Sequence, residues 1–294
     1  MPISARNRER RNRLITLFLV LLLLGTAAIA TNVLGAGDRL ADLVAKVELI
    51  VHPPPDRPID DVTLITPMPE ATAEPTPAPG ATATAKPVRK AVDINLYTDP
   101  AKHFISETDH TWCAVAGTQM VLAAHGQAPL TEKFQATLAH RIGEWESRRD
   151  SHNGGWGPSA IIKALDAYGV TGYELRAYET RQDALADAAR AIETTHAPVL
   201  LMAWRGAHTW VMTGFTADAD PLLFDTVKVT GAYILDPWYP RVSSIWGPSD
   251  PPGTFQDPAE MKRNYLPWDR PEGVYASRDG LFLAVVPTVA ISQP

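Results

Sequence analysis

Three residue types that act together in thiol chemistry follow one another along the chain: Cys113, His208 and Asp236. A thiolate is a strong nucleophile, an imidazole can hold or accept its proton, and a carboxylate can orient the imidazole. Cys113 is the single cysteine of the 294 residues, so an intramolecular disulfide and a multi-cysteine zinc site are both excluded. The pattern predicts Cys-His-Asp catalysis with no metal and no cofactor.

Cys113 needs an element that favours a thiolate. The apolar run 112–125 predicts a helix that ends at Gly126 and begins at the cysteine. A helix N-terminus carries a partial positive charge and unpaired N–H groups. Both stabilise a thiolate, and the N–H groups offer part of an oxyanion hole.

His208 and Asp236 are predicted on neighbouring strands. The run 208–215 alternates between apolar and polar residues, while the run 227–235 ends directly before Asp236. Antiparallel pairing of these strands would bring Asp236 beside His208. Asp220 and Asp225 are weaker alternatives for the carboxylate.

The remaining periodic segments give the fold class. Helices are predicted over 130–149, 158–168 and 180–195, and further strands over 173–177, 198–204 and 280–286. Because helices come first and antiparallel strands follow, the sequence predicts an α+β domain.

Three motifs together resemble a known family. Trp112-Cys113-Ala114 at a helix start, the segment 206–211 (GAHTWV) on a strand, and Leu235-Asp236-Pro237 at a strand end are similar to the bacteriocin-processing (double-glycine) peptidase-like cysteine peptidases. The resemblance covers roughly residues 93–290. It implies a papain-like fold, with N-terminal helices packed on an antiparallel sheet. It also implies that Cys113 is the nucleophile, His208 the base and Asp236 the orienting group.

One residue departs from the family pattern. The family usually has a Gln about six residues before the cysteine as a side-chain donor to the oxyanion, whereas position 107 is Glu. An ionised Glu107 would oppose a developing negative charge. The candidate replacements are His110, Thr111 or a protonated acid.

Four tryptophans flank the motifs and are candidates for the walls of a substrate cleft. They are Trp112, Trp156, Trp210 and Trp238. Ordinary core packing is an equally good interpretation, because tryptophans bury large apolar surfaces in any domain.

The first 92 residues predict export or membrane anchoring of the protein rather than a catalytic role. Residues 1–13 are basic and are expected in the cytoplasm, and residues 14–36 are uncharged, as in a transmembrane anchor or a cleaved signal peptide. Residues 37–92 contain a short juxtamembrane helix over 38–51 and a linker rich in Pro, Thr and Ala. The folded domain, residues 93–294, would then lie outside the cytoplasm, anchored to the cytoplasmic membrane or secreted as an extracellular protein.

The charge of the folded part bears on its partners. Residues 93–294 carry 16 Lys and Arg against 24 Asp and Glu, which argues against nucleic acid as the main partner. The expected substrate is a peptide or protein, hydrolysed at a peptide or amide bond. The alternatives are a weakly active or inactive papain-like binding module, and a cell-wall amidase or acyl transferase that uses the same Cys-His pair.

Overall fold

The computed structural model describes residues 5–30, 62–65, 87–145, 156–269 and 277–291, together with five positions between 40 and 51. The chain divides into two compact units, Met1–Pro53 and Pro54–Pro294. Parts of five predicted segments lie outside the described residues: the start of the basic segment (1–4), the end of the uncharged run after residue 30, most of the juxtamembrane segment 38–51, the linker over 52–61 and 66–86, and the end of the predicted helix after residue 145.

The first unit contains helix α1, Ala5–Ala30. The apolar side chains described along it, from Ile15 to Leu24, are about half exposed or more. No helix in the described part of the chain is long and apolar enough to cross a membrane. The transmembrane anchor or signal peptide over 14–36 stays a prediction. The five described positions within 38–51 are helical, as predicted for that segment.

The second unit is built around one large sheet. In chain order the strands are β1 (Thr63–Leu64), β2 (Val92–Asn95), β3 (Tyr173–Tyr178), β4 (Val199–Ala203), β5 (His208–Ala217), β6 (Val229–Leu235), the small hairpin pair β7 (Val242–Ser243) and β8 (Gly247–Pro248), β9 (Thr254–Gln256) and β10 (Phe282–Pro287). The large sheet has the order β1-β3-β10-β4-β5-β6-β9, and β2 pairs with the second half of β5. All of its pairings are antiparallel except that of β1 with β3.

The helices of this unit lie on both faces of the sheet. They are α2 (Cys113–Ala124), α3 (Glu132–His140), α4 (Ile142–Trp145), α5 (Pro158–Ala167), α6 (Arg181–Thr195) and α7 (Pro258–Asn264). Along β4, Leu200 and Met202 belong to the core under α2 and α5, whereas Leu201 belongs to the core under α6 and α7. The mixed fold of helices and a mostly antiparallel sheet agrees with the prediction, and helices cover both faces of the sheet.

Local structure departs from the sequence prediction at four places. The predicted helix over 130–149 is broken at Arg141, where the chain turns between α3 and α4. The strand β1 lies within the segment predicted as linker and pairs with β3. Strand β9 and helix α7 follow Pro-rich sequence that gave no periodic signal, although Asp257 caps α7 by accepting from Ala259 N and Glu260 N.

Candidate active site

Cys113 is the first residue of α2, as the sequence predicts. Its side chain is partly exposed, while the residues that follow it from Ala114 to Leu122 are buried. The thiol therefore sits at the solvent end of a helix that is fixed along most of its length. Its position in the first turn brings the positive end of the helix to the sulfur.

The chain reaches His208 through a tight turn after β4. Trp204, Arg205 and Gly206 all have positive φ angles, of 50°, 61° and 84°. Two features of the turn require glycine at position 206. Its left-handed backbone favours glycine, and a Cβ there would lie 2.2 Å from the ring of Trp268. This strained turn sets the position from which β5 starts at His208.

Asp236 reaches His208 by the strand pairing that the sequence suggested. Strand β6 runs antiparallel to β5, with Val211 opposite Leu235, so the end of β6 lies beside the start of β5. His208 Nε2 lies 2.6 Å from Asp236 Oδ1, which also accepts a hydrogen bond of 2.9 Å from Trp238 N. Both side chains are buried, so this contact is shielded from water.

The second ring nitrogen of His208 is directed to the cysteine. With Nε2 bonded to Asp236, Nδ1 is the ring nitrogen left to interact with Cys113. A carboxyl oxygen of Glu107, the Cys113 sulfur and a ring nitrogen of His208 all lie within 4.8 Å of one another. The structure thus brings together all three residues predicted from the sequence, in the order Cys113, His208, Asp236.

The electrostatics of the pair favour a charged imidazole. Burial by itself lowers the pKa of His208, but the carboxylate of Asp236 and the hydrogen bonds to Asp236 and Cys113 outweigh it, and the net pKa is well above the ordinary value. An imidazolium held against the sulfur stabilises the thiolate form of a cysteine.

Tryptophans enclose the imidazole. Trp204 stacks on His208 with ring centroids 4.1 Å apart, and the edge of Trp238 meets it at 6.4 Å. Trp246, from the β7-β8 hairpin, lies parallel to Trp204 at 5.7 Å. Aromatic faces stabilise an adjacent cation and keep water from the His208 to Asp236 contact.

The four tryptophans predicted to line the cleft have different surroundings. Trp238 contacts His208, and Trp112 immediately precedes Cys113 and meets His140 edge-on at 6.3 Å. Trp156 packs on Trp145 in the core under α2 and α5, and Trp210 is buried in the opposite core. For these last two the core interpretation fits better.

Glu107 is held rigidly beside the thiol. Its backbone N–H donates to Pro237 O at 2.9 Å, and its Oε1 accepts from Arg241 Nη1 at 3.1 Å. The neighbouring backbone is fixed by the buried Gln135, whose Oε1 accepts from Thr108 N and whose Nε2 donates to Ser106 O. Burial raises the pKa of Glu107 to about 8, against the opposing influence of His208 and Arg241.

His110 and Thr111, the predicted oxyanion donors, interact with Asp109. The Thr111 hydroxyl donates to Asp109 Oδ1 at 2.8 Å, and His110 Nδ1 lies 3.7 Å from the same oxygen. The Thr111 hydroxyl proton is therefore already bonded to Asp109. Glu107 is better placed than Thr111 to donate a hydrogen bond to an oxyanion beside Cys113.

Glu107, Cys113 and His208 are also of residue types that could hold a metal ion. Two of the three side chains already have partners within the protein, because Glu107 Oε1 accepts from Arg241 and His208 Nε2 is bonded to Asp236. We therefore assign no metal ligands.

Glu107 is one of the residues that line a cavity of about 650 Å³. Its lining includes Phe104, Ile105, Ser106, Glu107, Thr108, Glu132, Pro240 and Arg241. Cys113 and His208 are not among its lining residues.

Comparison with known proteins assigns the chain to a family. The chain belongs to the Peptidase_C39 like family, whose model matches residues 98–263, more than half of its length. No curated protein matches the chain. Among solved structures, a double-glycine motif protease from an AMS/PCAT transporter, in complex with the leader peptide, is 20% identical with a TM-score of 0.31, over 63% of this chain and 91% of that one.

Sequence reasoning missed three residues of the site's surroundings. Trp204 and Trp246 lie outside the three motifs, and only the strained turn and the hairpin bring them to His208. Gln135 lies in the middle of a helix, where it resembles any polar surface residue. The pair Gly206-Ala207, directly before the predicted strand over 208–215, is the sequence signal for the turn.

Proposed function

We propose that the protein is a thiol-dependent peptidase in which Cys113 is the nucleophile, His208 the acid and base, and Asp236 the orienting group. The observation that carries the proposal is that the half-buried thiol lies within 4.8 Å of a buried imidazole, which is itself hydrogen-bonded to a buried carboxylate. Membership of a peptidase family supports the reaction class.

The geometry supports a two-step hydrolysis. The Cys113 thiolate attacks the carbonyl carbon, a C–S bond forms, and the carbonyl electron pair moves to the oxygen. The oxyanion collapses, the C–N bond breaks, and His208 Nδ1–H protonates the leaving amine. His208 then takes a proton from water, whose oxygen forms a bond to the thioester carbon; the C–S bond breaks, which releases the acid and restores the Cys113 thiolate beside the imidazolium. Asp236 holds the imidazole through Nε2 in both steps.

The proposed substrates are peptides or proteins, with no nucleic acid partner and no cofactor required. A location outside the cytoplasm is proposed from the sequence alone, because the basic residues 1–13 precede an uncharged run. A reporter phosphatase that depends on its disulfides, fused after residue 294, would be active only if the folded unit is exported, because disulfides form outside the cytoplasm.

The proposal is tested with the full chain and a proteome-derived peptide library, with new termini identified by mass spectrometry. We expect cleavage by the wild-type protein and none by Cys113→Ala, which removes the nucleophile without adding bulk. Cleavage that persists in Cys113→Ala would contradict the proposal. Peptide binding without cleavage in either protein would favour a binding module, and products joined to an added amine would favour an acyl transferase.

A further inference from the structure

We infer that Glu107 is a further catalytic residue, which donates a hydrogen bond to the oxyanion as a neutral carboxylic acid. This rests on the proposed function, because an oxyanion forms only if Cys113 attacks a carbonyl group. The inference names the donor that the sequence left open and gives Glu107 the task that the resembled family gives to a glutamine.

The position of the carboxyl group is the first argument. One of its oxygens lies within 4.8 Å of both the Cys113 sulfur and a ring nitrogen of His208. A carbonyl oxygen under attack by that sulfur must lie within the same few ångströms. Glu107 is only 2% exposed, so it meets the oxyanion without competing water.

The hydrogen bonds of the carboxyl group supply the second argument. Oε1 accepts from Arg241, whereas Oε2 is buried and has no hydrogen-bond partner among the described residues. A neutral acid fits this pattern, since Oε1 can act as the carbonyl oxygen and Oε2 can carry a proton with nowhere else to donate it. Leaving a buried polar group without a partner is costly, so a group that binds there is favoured.

The backbone completes the oxyanion site. Cys113 is the first residue of α2, and the N–H groups of a first helical turn lack acceptors within the helix. The Cys113 N–H and the Glu107 O–H would therefore bind the oxyanion from two elements. This arrangement needs the proton on Glu107, because two negative oxygens at that distance would repel each other.

The charges around Glu107 decide whether it keeps that proton. Those that face it are His208 at the start of β5, Asp236 at the end of β6, Arg241 after β6 and Asp109 on its own segment. His208 and Arg241 favour the carboxylate, while burial and the two aspartates favour the acid. Burial is the largest influence, and the resulting pKa of about 8 leaves the acid in excess at neutral pH.

The donor therefore works below about pH 8 and fails above it. A glutamine side chain in the same place would donate at any pH. The carboxylic acid thus gives this chain an alkaline limit that an amide would not impose.

The activity experiment measures kcat/KM from pH 5.5 to 9.5, using the peptide that the library assay shows to be cleaved most efficiently. We expect Glu107→Gln to match the wild type within about threefold near pH 6.5 and to keep its activity at pH 9, where the wild type declines. Glu107→Ala should be about 100-fold or more less active than Glu107→Gln at every pH. Glu132→Gln, an exposed glutamate on the same cavity, is the matched control and should follow the wild type. An alkaline limit that Glu107→Gln leaves unchanged, or equal losses in the Gln and Ala variants, would overturn the inference.

A measurement without substrate separates this inference from the proposed function. The infrared spectrum of the full chain at pH 6.5 should contain a carboxylic acid C=O band that disappears in Glu107→Gln and fades in the wild type above about pH 8. If no peptide is cleaved but the band is present, the peptidase proposal fails while the protonated Glu107 stands. If peptides are cleaved and the band is missing, the inference fails on its own.

Discussion

At the scale of single residues, the site depends on how burial is balanced by charge. His208 and Asp236 are both buried, and the two side chains are 2.6 Å apart. Each one is the polar partner of the other in place of the water that burial removes. Glu107 has only a partly exposed arginine as its ionic partner, and burial dominates. The same surroundings thus favour a charged histidine and a neutral glutamate a few ångströms apart.

The first prediction at this scale concerns Asp236. Asp236→Ala should lower kcat by about 100-fold or more, because the imidazole loses the acceptor that orients it. Asp236→Asn keeps an oxygen for Nε2–H and should recover part of that loss. Without the carboxylate charge the pKa of His208 falls, so the imidazolium should be lost at a lower pH than in the wild type. A pH-rate profile of both variants checks this, and a full-activity Asp236→Ala protein would contradict it.

At the scale of elements, the turn between β4 and β5 sets the position of His208. Gly206→Ala should destabilise the fold by at least about 2 kcal/mol, because a Cβ must overlap the Trp268 ring in addition to the cost of a positive φ. The matched control is Gly169→Ala, which has a φ of +81° and no atom within 4 Å of the added Cβ. Urea denaturation measures the free energy of unfolding of both variants. Gly169→Ala gives the cost of the positive φ alone, and the additional loss in Gly206→Ala is the cost of the overlap with Trp268. Equal losses in the two variants would contradict the prediction.

A second prediction at this scale concerns the segment that carries Glu107. Gln135→Ala leaves Thr108 N and Ser106 O without their buried partner, at a cost of about 2–4 kcal/mol. Peptidase activity should fall as well, because Glu107 loses its fixed position. Gln127→Ala, at an exposed site, should change stability by less than about 0.5 kcal/mol. Thermal unfolding and activity are measured together, and an unperturbed Gln135→Ala protein would contradict the positioning role.

At the scale of the whole molecule, a buried neutral glutamate makes stability depend on pH. The folded state holds a proton on Glu107 up to about pH 8, whereas the unfolded chain loses it near the ordinary value of 4.5. Between these values the folded state binds more protons, so a rising pH lowers stability by at most roughly 1.4 kcal/mol per pH unit. Below the lower value and above the upper one this contribution no longer changes.

Glu107→Gln removes that dependence. The variant should therefore gain stability relative to the wild type as the pH rises from 5 to 7.5, while the two proteins should be alike near pH 4. Denaturation at each pH measures the difference, and the charge of His208 is common to both proteins. A difference that is independent of pH would mean that Glu107 is ionised in the folded state.

The sequence contained enough to predict the pairing of the main strands and the meeting of three distant residues. Cys113 at a helix start and Asp236 after a strand follow from local patterns, because periodicity and chain order restrict where such residues can lie. Trp204 could not be predicted, because its stacking on His208 depends on the positive φ angles of a turn. The state of Glu107 could not be predicted either, because it depends on burial and on an arginine 134 positions further along the chain.

The central claim is that Cys113 and His208 form an activated pair, and the most direct test needs no substrate. Because Cys113 is the single cysteine, iodoacetamide labels one site, and its rate at pH 6 is read by intact-mass spectrometry. The wild type should react at least about 10-fold faster than His208→Ala, since a neighbouring imidazolium stabilises the reactive thiolate. His196→Asn, at the exposed end of α6, is the control and should react like the wild type. Equal, slow rates in the wild type and in His208→Ala would contradict the claim.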